Sequence, residues 1–159
     1  MSKRLLFALL LSAVTCGSTL AQRQFREVNL TVNGIRSGSS YQKVEKLGKP
    51  IRVRIIGFDE CSRRYRRVLY FNGLEVGLLG SKNGKRSTVI SLTVTSSKWT
   101  VAPEIKIGAT RETLIRTLGK PVSEESSRID YVTKANLGGV TFYLRRGRLY
   151  RVEMMETLC

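Results

Sequence analysis

Alternating apolar and polar residues mark several strands along this chain of 159 residues. Ile51, Val53 and Ile55 alternate with Arg52 and Arg54, which predicts a strand over residues 51–58 with two unlike faces. Similar segments lie at residues 23–32, 63–71, 74–79, 89–94 and 140–144. Asn-Gly and Arg-Gly pairs between these segments predict tight turns. Near the end of the chain, two apolar residues of residues 149–154 are three apart, which favours a β-bulge over a plain strand.

Two short segments have helical spacing instead, and each ends in Leu-Gly-Lys-Pro, at residues 47–50 and 118–121. Apolar pairs three residues apart precede each ending, at residues 44 and 47 and at residues 115 and 118. Ser39 or Ser40 is the predicted N-cap of the first helix, and Thr110 that of the second. Gly48 and Gly119 are predicted to end the helices with positive φ, and proline then prevents continuation.

The repeat continues beyond each proline, which predicts two tandem modules. A tyrosine, Tyr70 or Tyr131, precedes an apolar strand, a turn and a second apolar strand in each copy. The modules are residues 22–98 and 99–159. Trp99, at the junction, packs either between the modules or within one of them.

The first 21 residues have the character of a secretory signal peptide. Lys3 and Arg4 precede a short apolar stretch, and the small residues before position 22 suit cleavage after Ala21. The protein is therefore expected in the periplasm or outside the cell. Cys16 fits a lipidation site poorly, so an outer-membrane lipoprotein is the less favoured alternative.

Two cysteines remain after the predicted cleavage, Cys61 and Cys159. An even pair in an oxidising compartment favours one disulfide between them, and the alternative is two unpaired thiols. The bond would join the last residue of the chain to the first module.

Positive charge is concentrated in the first module. Residues 22–98 hold sixteen Lys and Arg against five Asp and Glu, whereas residues 99–159 hold ten against seven. A basic group lies on the predicted strand pair of the first module and forms the main candidate binding site: Arg52, Arg54, Arg64, Tyr65 and Arg66. Arginine on a strand face binds carboxylates or phosphates in pairs of hydrogen bonds, and the alternative is a solvated, charged edge.

A second candidate lies around the last hairpin. Tyr143, Arg145 and Tyr150 belong to the residue types found at the centres of protein interfaces, and the alternative is an ordinary charged hairpin tip. Arg111 and Arg116, on the second helix, are expected to be simply solvated.

Catalytic chemistry has little support in the residues. The chain has no histidine, so the usual activator of a Ser or Cys nucleophile is missing. No spaced carboxylate cluster suggests a metal, and no glycine-rich motif suggests a nucleotide. We therefore expect no enzyme activity, no cofactor and no metal.

The repeated pattern resembles the BamE/SmpA/OmlA group of bacterial envelope proteins and the structurally similar β-lactamase inhibitory protein. The matching positions in the second module are Gly108-Ala-Thr110, Leu118-Gly-Lys-Pro121, Tyr131, Phe142, Gly147 and Val152. The resemblance implies an α+β fold of two tandem modules, each a helical segment packed on a small antiparallel β-sheet. It also implies that such a chain binds a partner through a sheet face.

Two functions follow as hypotheses. The first is a non-enzymatic protein-binding module, an inhibitor or an envelope scaffold, that uses a basic sheet face against an acidic protein. The alternative is a binder of anionic lipid head groups or envelope polysaccharides. Intracellular nucleic acid is disfavoured as a partner because the signal peptide exports the chain.

Overall fold

The computed structural model describes residues 28–133 and 138–156. Two short helices are present there, α1 (Tyr41–Glu45) and α2 (Arg111–Leu118). The strands are β1 (Arg52–Asp59), β2 (Arg64–Phe71), β3 (Leu74–Gly80), β4 (Ser87–Val94), β5 (Ser123–Glu124), β6 (Arg128–Val132), β7 (Gly138–Arg145) and β8 (Arg148–Glu156).

All eight strands form a single antiparallel sheet in the order β1-β2-β3-β4-β8-β7-β6-β5. The central pair, β4 and β8, joins the two halves of the chain, with Leu92 opposite Met154 and Val94 opposite Val152. The prediction of an α+β fold, with a helix packed on a separate small sheet in each of two modules, is wrong. The halves share one sheet, and helices of five and eight residues are too short to form a layer over it.

One face of the sheet, here called the helix face, carries the main core. Val44 of α1 and Leu114 of α2 are fully buried against it, together with apolar residues of the strands. Residues of the connecting segments, such as Val32 and Ile105, complete this core. The other face, here called the open face, bears no helix within the described part of the chain. Leu79 and Ile90 are buried outside the main core.

The helix ends agree only partly with the predictions. The Thr110 hydroxyl accepts a hydrogen bond from the Thr113 amide at 3.3 Å and caps α2, as predicted. Gly119 is the C-cap of α2 with φ 82°, a conformation that glycine adopts without strain. Gly48 also has positive φ, but α1 ends at Glu45 and its C-cap is Lys46, two residues before Gly48. The N-cap of α1 is Ser40, whose side chain makes no capping hydrogen bond.

β-Bulges interrupt three strand pairs. The bulge between β7 and β8 leaves Tyr150 as the extra residue between Leu149 and Arg151, which confirms the prediction for this segment. Another, between β3 and β4, sets Val89 opposite Leu78. It therefore leaves Ile90 as an extra residue, outside the alternation of Val94 and Leu92.

The tyrosines matched in the sequence repeat occupy different environments. Tyr131 is 2% exposed in the core, and its hydroxyl donates to the Gly119 carbonyl at 2.8 Å, which fastens β6 to the end of α2. Tyr70 pairs with Glu75 of β3 and lies on the open face. Trp99 is buried beside Phe71, and its indole nitrogen donates to the Asn72 carbonyl at 2.8 Å. It therefore packs against the β2–β3 turn.

Several predictions concern residues outside the described ranges. These are the signal peptide at residues 1–21, lipidation of Cys16 and the Cys159 partner of the disulfide, so the Cys61–Cys159 bond stays a prediction. Residues 23–27 of the first predicted strand also lie outside. Its described remainder forms only isolated bridges, Val28 with Thr133 and Val32 with Ile35. The module boundaries at residues 98 and 99 stay a prediction as well.

Candidate binding surface on the sheet

The register of β1 and β2 gathers four arginines on the open face. Arg52 lies opposite Tyr70 and Arg54 opposite Val68, while Arg66 and Arg64 follow at alternate positions of β2. We call Arg52, Arg54, Arg64 and Arg66 the arginine cluster. All four are exposed, so their guanidinium groups are accessible to an anionic partner.

Tyr70 belongs to the same surface, although it was not among the predicted site residues. The Arg52 guanidinium carbon lies 4.1 Å from the centre of the Tyr70 ring, within the range of a cation–π contact. The contact holds Arg52 over an aromatic surface. A count of alternate positions along β2 would have found this residue, because Tyr70 is an even number of residues from Arg64 and Arg66.

Tyr65, predicted to belong to the arginine group, lies on the helix face. It pairs with Phe58 of β1 and Gly80 of β3, and its ring meets the Phe58 ring edge to face, with centres 5.3 Å apart. The structure therefore separates Tyr65 from the arginine cluster, because neighbouring residues of a strand point to opposite faces.

Two charged neighbours of the cluster have structural contacts. Arg67 donates to the Ser81 carbonyl at 3.4 Å and to the Lys82 carbonyl, and so supports the β3–β4 turn. The Asp59 carboxylate accepts hydrogen bonds from the hydroxyl and amide of Ser62, which lower its pKa. Its contact with Arg66 is long, at 4.0 Å, and leaves that arginine partly free for other anions.

The second candidate group also assembles in part on the open face. The rings of Tyr143 and Tyr150 have centres 6.4 Å apart, and Arg145 lies 4.7 Å from the Tyr150 ring centre. The Tyr143 hydroxyl donates to the Glu153 carboxylate at 2.8 Å, and this bond raises the pKa of Tyr143. Arg151 is paired with the same carboxylate. The aromatic pair thus lies beside a carboxylate that already has two partners.

The two groups do not form one continuous basic surface. Four strand spacings separate β2 from β7, which amounts to roughly 20 Å. Glu75 and Glu153 lie between the groups on the open face. These carboxylates separate the arginine cluster from the arginines at the other end of this face, of which Arg128 and Arg151 are paired with Asp130 and Glu153.

β1 forms one edge of the sheet and exposes unusually large apolar side chains. On the helix side, Ile51 is 76% exposed, Val53 50%, Ile55 59% and Phe58 52%. The side chain of the bulged Ile56 is half-exposed as well. We call this strand and its apolar row the β1 edge. The five-residue helix α1 does not cover it.

A groove opens on the helix face beside the start of β1. It has a volume of about 400 Å³ and is lined by Tyr41 and Val44 of α1, by Gly48 and Pro50 after it, and by strand residues including Leu69 and Phe71. The groove is short, its surface is about equally polar and apolar, and Pro50 places it next to the start of β1.

The opposite edge of the described sheet is β5, which has only two residues, Ser123 and Glu124. Arg111 of α2 binds the Glu124 carboxylate at 2.6 Å and the carbonyls of Glu125 and Ser126 at 2.6 and 2.7 Å. The expectation that Arg111 is simply solvated is wrong. Arg116 is mostly exposed and pairs with Glu104, at 3.2 Å.

A cavity of about 620 Å³ lies between the 28–40 segment, the start of α1 and the ends of β7 and β8. Two pairs of its polar side chains are bonded to one another: Ser37 donates to the Glu156 carboxylate at 2.7 Å, and Arg36 donates to Asn29 at 3.4 Å. The cavity therefore presents mainly apolar surface, including Leu30 and Met154.

Comparison with family models, curated proteins and solved structures found no match for this chain. Within residues 28–133 and 138–156, no group of three or more Cys, Asp or Glu side chains is arranged to hold a metal ion. None of the helices in these ranges is long and apolar enough to cross a membrane. The arginine cluster and the β1 edge are the described surfaces with the most distinctive chemistry.

Proposed function

We propose that this protein is a secreted or periplasmic, non-enzymatic binding protein that holds an acidic protein partner at the β1–β2 end of its sheet. The observation that carries the proposal is the arginine cluster, four exposed arginines on one face of two paired strands. Its role would be that of an inhibitor or an envelope scaffold.

The chemistry of arginine supports a carboxylate-bearing partner. Each guanidinium is planar and donates paired hydrogen bonds to a carboxylate. Arg52 is already held over the Tyr70 ring, so less side-chain freedom is lost when it binds. The rigid sheet fixes the spacing of the four side chains, which favours a partner with acidic groups at a matching spacing.

The alternative, a binder of anionic lipid head groups or envelope polysaccharides, is favoured by the concentration of net charge alone. Sixteen basic residues against five acidic ones in residues 22–98 create a positive field around this half of the protein. Binding that depends on this field weakens steeply as salt increases. A shape-complementary protein interface loses much less affinity under the same change.

The test compares two double variants with the same change in charge. Arg54→Glu with Arg64→Glu reverses two cluster residues that make no described side-chain contact, and Lys106→Glu with Lys120→Glu reverses two exposed lysines of the other half. Capture from envelope and secreted fractions, at low and moderate salt, followed by mass spectrometry, identifies bound proteins. We expect the arginine variant to lose an acidic partner that the lysine variant retains.

Folding is checked by melting temperature, because surface substitutions usually change the free energy of unfolding by only about 0.5 kcal/mol. Equal loss of binding from both variants would mean that only net charge matters and would contradict the proposed site. The alternative function would be favoured if the protein bound anionic vesicles or polysaccharide but captured no protein, and if that binding disappeared completely at moderate salt.

A further inference from the structure

We propose that the β1 edge binds an extended segment of the partner protein as an added strand, in which acidic and apolar side chains alternate. The inference rests on the proposed function, because it names the part of the partner that would bind. It adds a second contact, backbone pairing along an exposed strand, to the charge contacts of the arginine cluster.

Backbone groups make β1 available for pairing. Only one side of this eight-residue strand is paired, with β2, so its outer N–H and C=O groups have no strand partner within the described chain. An exposed sheet edge of this length is a template for another strand. Pairing starts most easily at residues 52–55, because the bulge between Ile55 and Gly57 disturbs the far end.

The two faces of β1 specify the alternation in the partner. Arg52 and Arg54 project to the open face, whereas Val53 and Ile55 project to the helix face and are at least half exposed. In an added strand, neighbouring side chains also point to opposite faces. Acidic side chains would therefore lie beside the arginines, and apolar side chains would lie beside Val53 and Ile55.

The groove beside the start of β1 gives the apolar side of the added strand a place to anchor. It lies on the helix face and is lined in part by Leu69 and Phe71. One large apolar side chain near the end of the bound segment would fill part of its 400 Å³. Burial of the exposed β1 side chains and filling of this groove would supply most of the hydrophobic contribution to binding.

Charge argues against a second copy of this chain as the occupant. Antiparallel pairing of two β1 strands would bring Arg52 and Arg54 of both copies onto the same face, and like charges on adjacent strands are destabilising. An acidic segment removes this repulsion and replaces it with attraction. The same arginines therefore disfavour self-association and favour an acidic partner.

The experiment uses the full chain and a synthetic peptide of alternating glutamate and valine, with the same number of residues as β1. Peptides with the same composition in two blocks, and with valine replaced by serine, serve as controls. Two further versions carry N-methyl groups either on every glutamate or on every valine. In a strand, the N–H groups of alternate residues point to opposite edges, so only one of these versions blocks pairing with β1.

We expect the alternating peptide to bind more tightly than both control peptides, and one N-methylated version to bind at least about tenfold more weakly than the other. Hydrogen exchange followed by NMR should show outer amides of β1 becoming protected. Val53→Thr with Ile55→Thr replaces one methyl and one ethyl group, which the added strand would bury, with hydroxyls and should weaken binding about tenfold. Val122→Thr, at the β5 end, is the matched control and should leave binding unchanged.

Binding of both N-methylated peptides with equal affinity, or binding without protection of β1 amides, would overturn the inference. Tighter binding of the block peptide than of the alternating peptide would also overturn it, because it would show that charge alone attracts the peptide. If the partner captured through the arginine cluster binds the Val53→Thr and Ile55→Thr variant normally, the proposed function stands and the added strand does not. Self-association of the chain through β1 in sedimentation measurements would also overturn the choice of occupant.

Discussion

The two edges of the sheet differ in length, chemistry and attachment. The β1 edge has eight residues and exposes a row of large apolar side chains, whereas β5 has two polar residues. Arg111 fastens the segment around β5 to α2 by three hydrogen bonds. Edge strands of stable proteins are usually short, charged or covered, and β5 follows this rule. β1 carries arginines and a bulge, but it is long and exposes apolar side chains on its helix side, and the proposed partner is based on that exposure.

Helix length accounts for part of the difference. α2 has eight residues and ends beside β6, where the Gly119 carbonyl accepts the hydrogen bond of Tyr131. α1 has five residues and contributes only Val44 to the fully buried core. In the first half, β1 therefore extends beyond the region that the helix covers. Similar sequence patterns thus produce one closed edge and one open edge.

The largest expected effect is the difference in stability between removing a buried aromatic side chain of the second half and removing a half-exposed one of the first half. Phe142→Ala should lower the free energy of unfolding by about 3–5 kcal/mol, because Phe142 is fully buried against Tyr131. Phe58→Ala should cost less than about 1 kcal/mol, because Phe58 is half exposed on β1. Urea unfolding of both variants measures the difference. Equal losses would mean that β1 is part of the stabilising core.

The next effect concerns the attachment of the β5 edge. Arg111→Met should destabilise the protein by about 2 kcal/mol, because one carboxylate and two carbonyls lose a charged donor while the aliphatic part remains. Arg54→Met, on the other edge, should change stability by at most about 0.5 kcal/mol. Thermal melts of the two variants provide the comparison. An unchanged melting temperature for the Arg111→Met variant would show that α2 does not hold this edge.

The smallest expected effect is the alkaline response of Tyr131. Burial raises the pKa of Tyr131 to about 12 from its ordinary value of 10.0. The folded state therefore holds this proton more tightly than the unfolded state, so the associated stability is fully present below pH 10 and is lost as pH rises towards 12. At about pH 11 the loss should be on the order of 1 kcal/mol.

Tyr131→Phe isolates this contribution. Its stability should be lower than that of the wild type at neutral pH by about 1 kcal/mol, because the bond to Gly119 is lost. Between pH 9 and pH 11 its stability should fall less than that of the wild type. Denaturant unfolding at several pH values measures how the free energy of unfolding of each protein changes with pH. If the two curves run parallel, Tyr131 is not the titrating group.

Local features of the fold were predictable because neighbouring residues encode them. The period of two in residues 51–55 predicts a strand with arginines on one face, and the structure agrees. Thr110 and Gly119 bound α2 as expected, because a hydroxyl cap and a glycine with positive φ act within one turn of helix. The bulge at Tyr150 was also visible, in the spacing of Leu149 and Val152.

The candidate site was predicted only in part. The four arginines of the cluster were identified, but Tyr65 was assigned to their surface and Tyr70 was not. The repeat also suggested similar roles for Tyr70 and Tyr131, whereas one faces the open side and the other is buried. A one-residue shift between similar strands reverses the direction of every side chain, and a similarity of short motifs does not determine that shift.

The sequence by itself determined the approximate positions of both helices and of most strands, and the alternation of residues along strands such as residues 51–55. These features depend on backbone preferences and on contacts between residues close in the chain. Only the tertiary structure decided that β4 pairs with β8, that both halves share one sheet, and that the apolar row of β1 is left exposed. Strand pairing between distant segments depends on how whole surfaces pack together, and that information is not contained in any single segment.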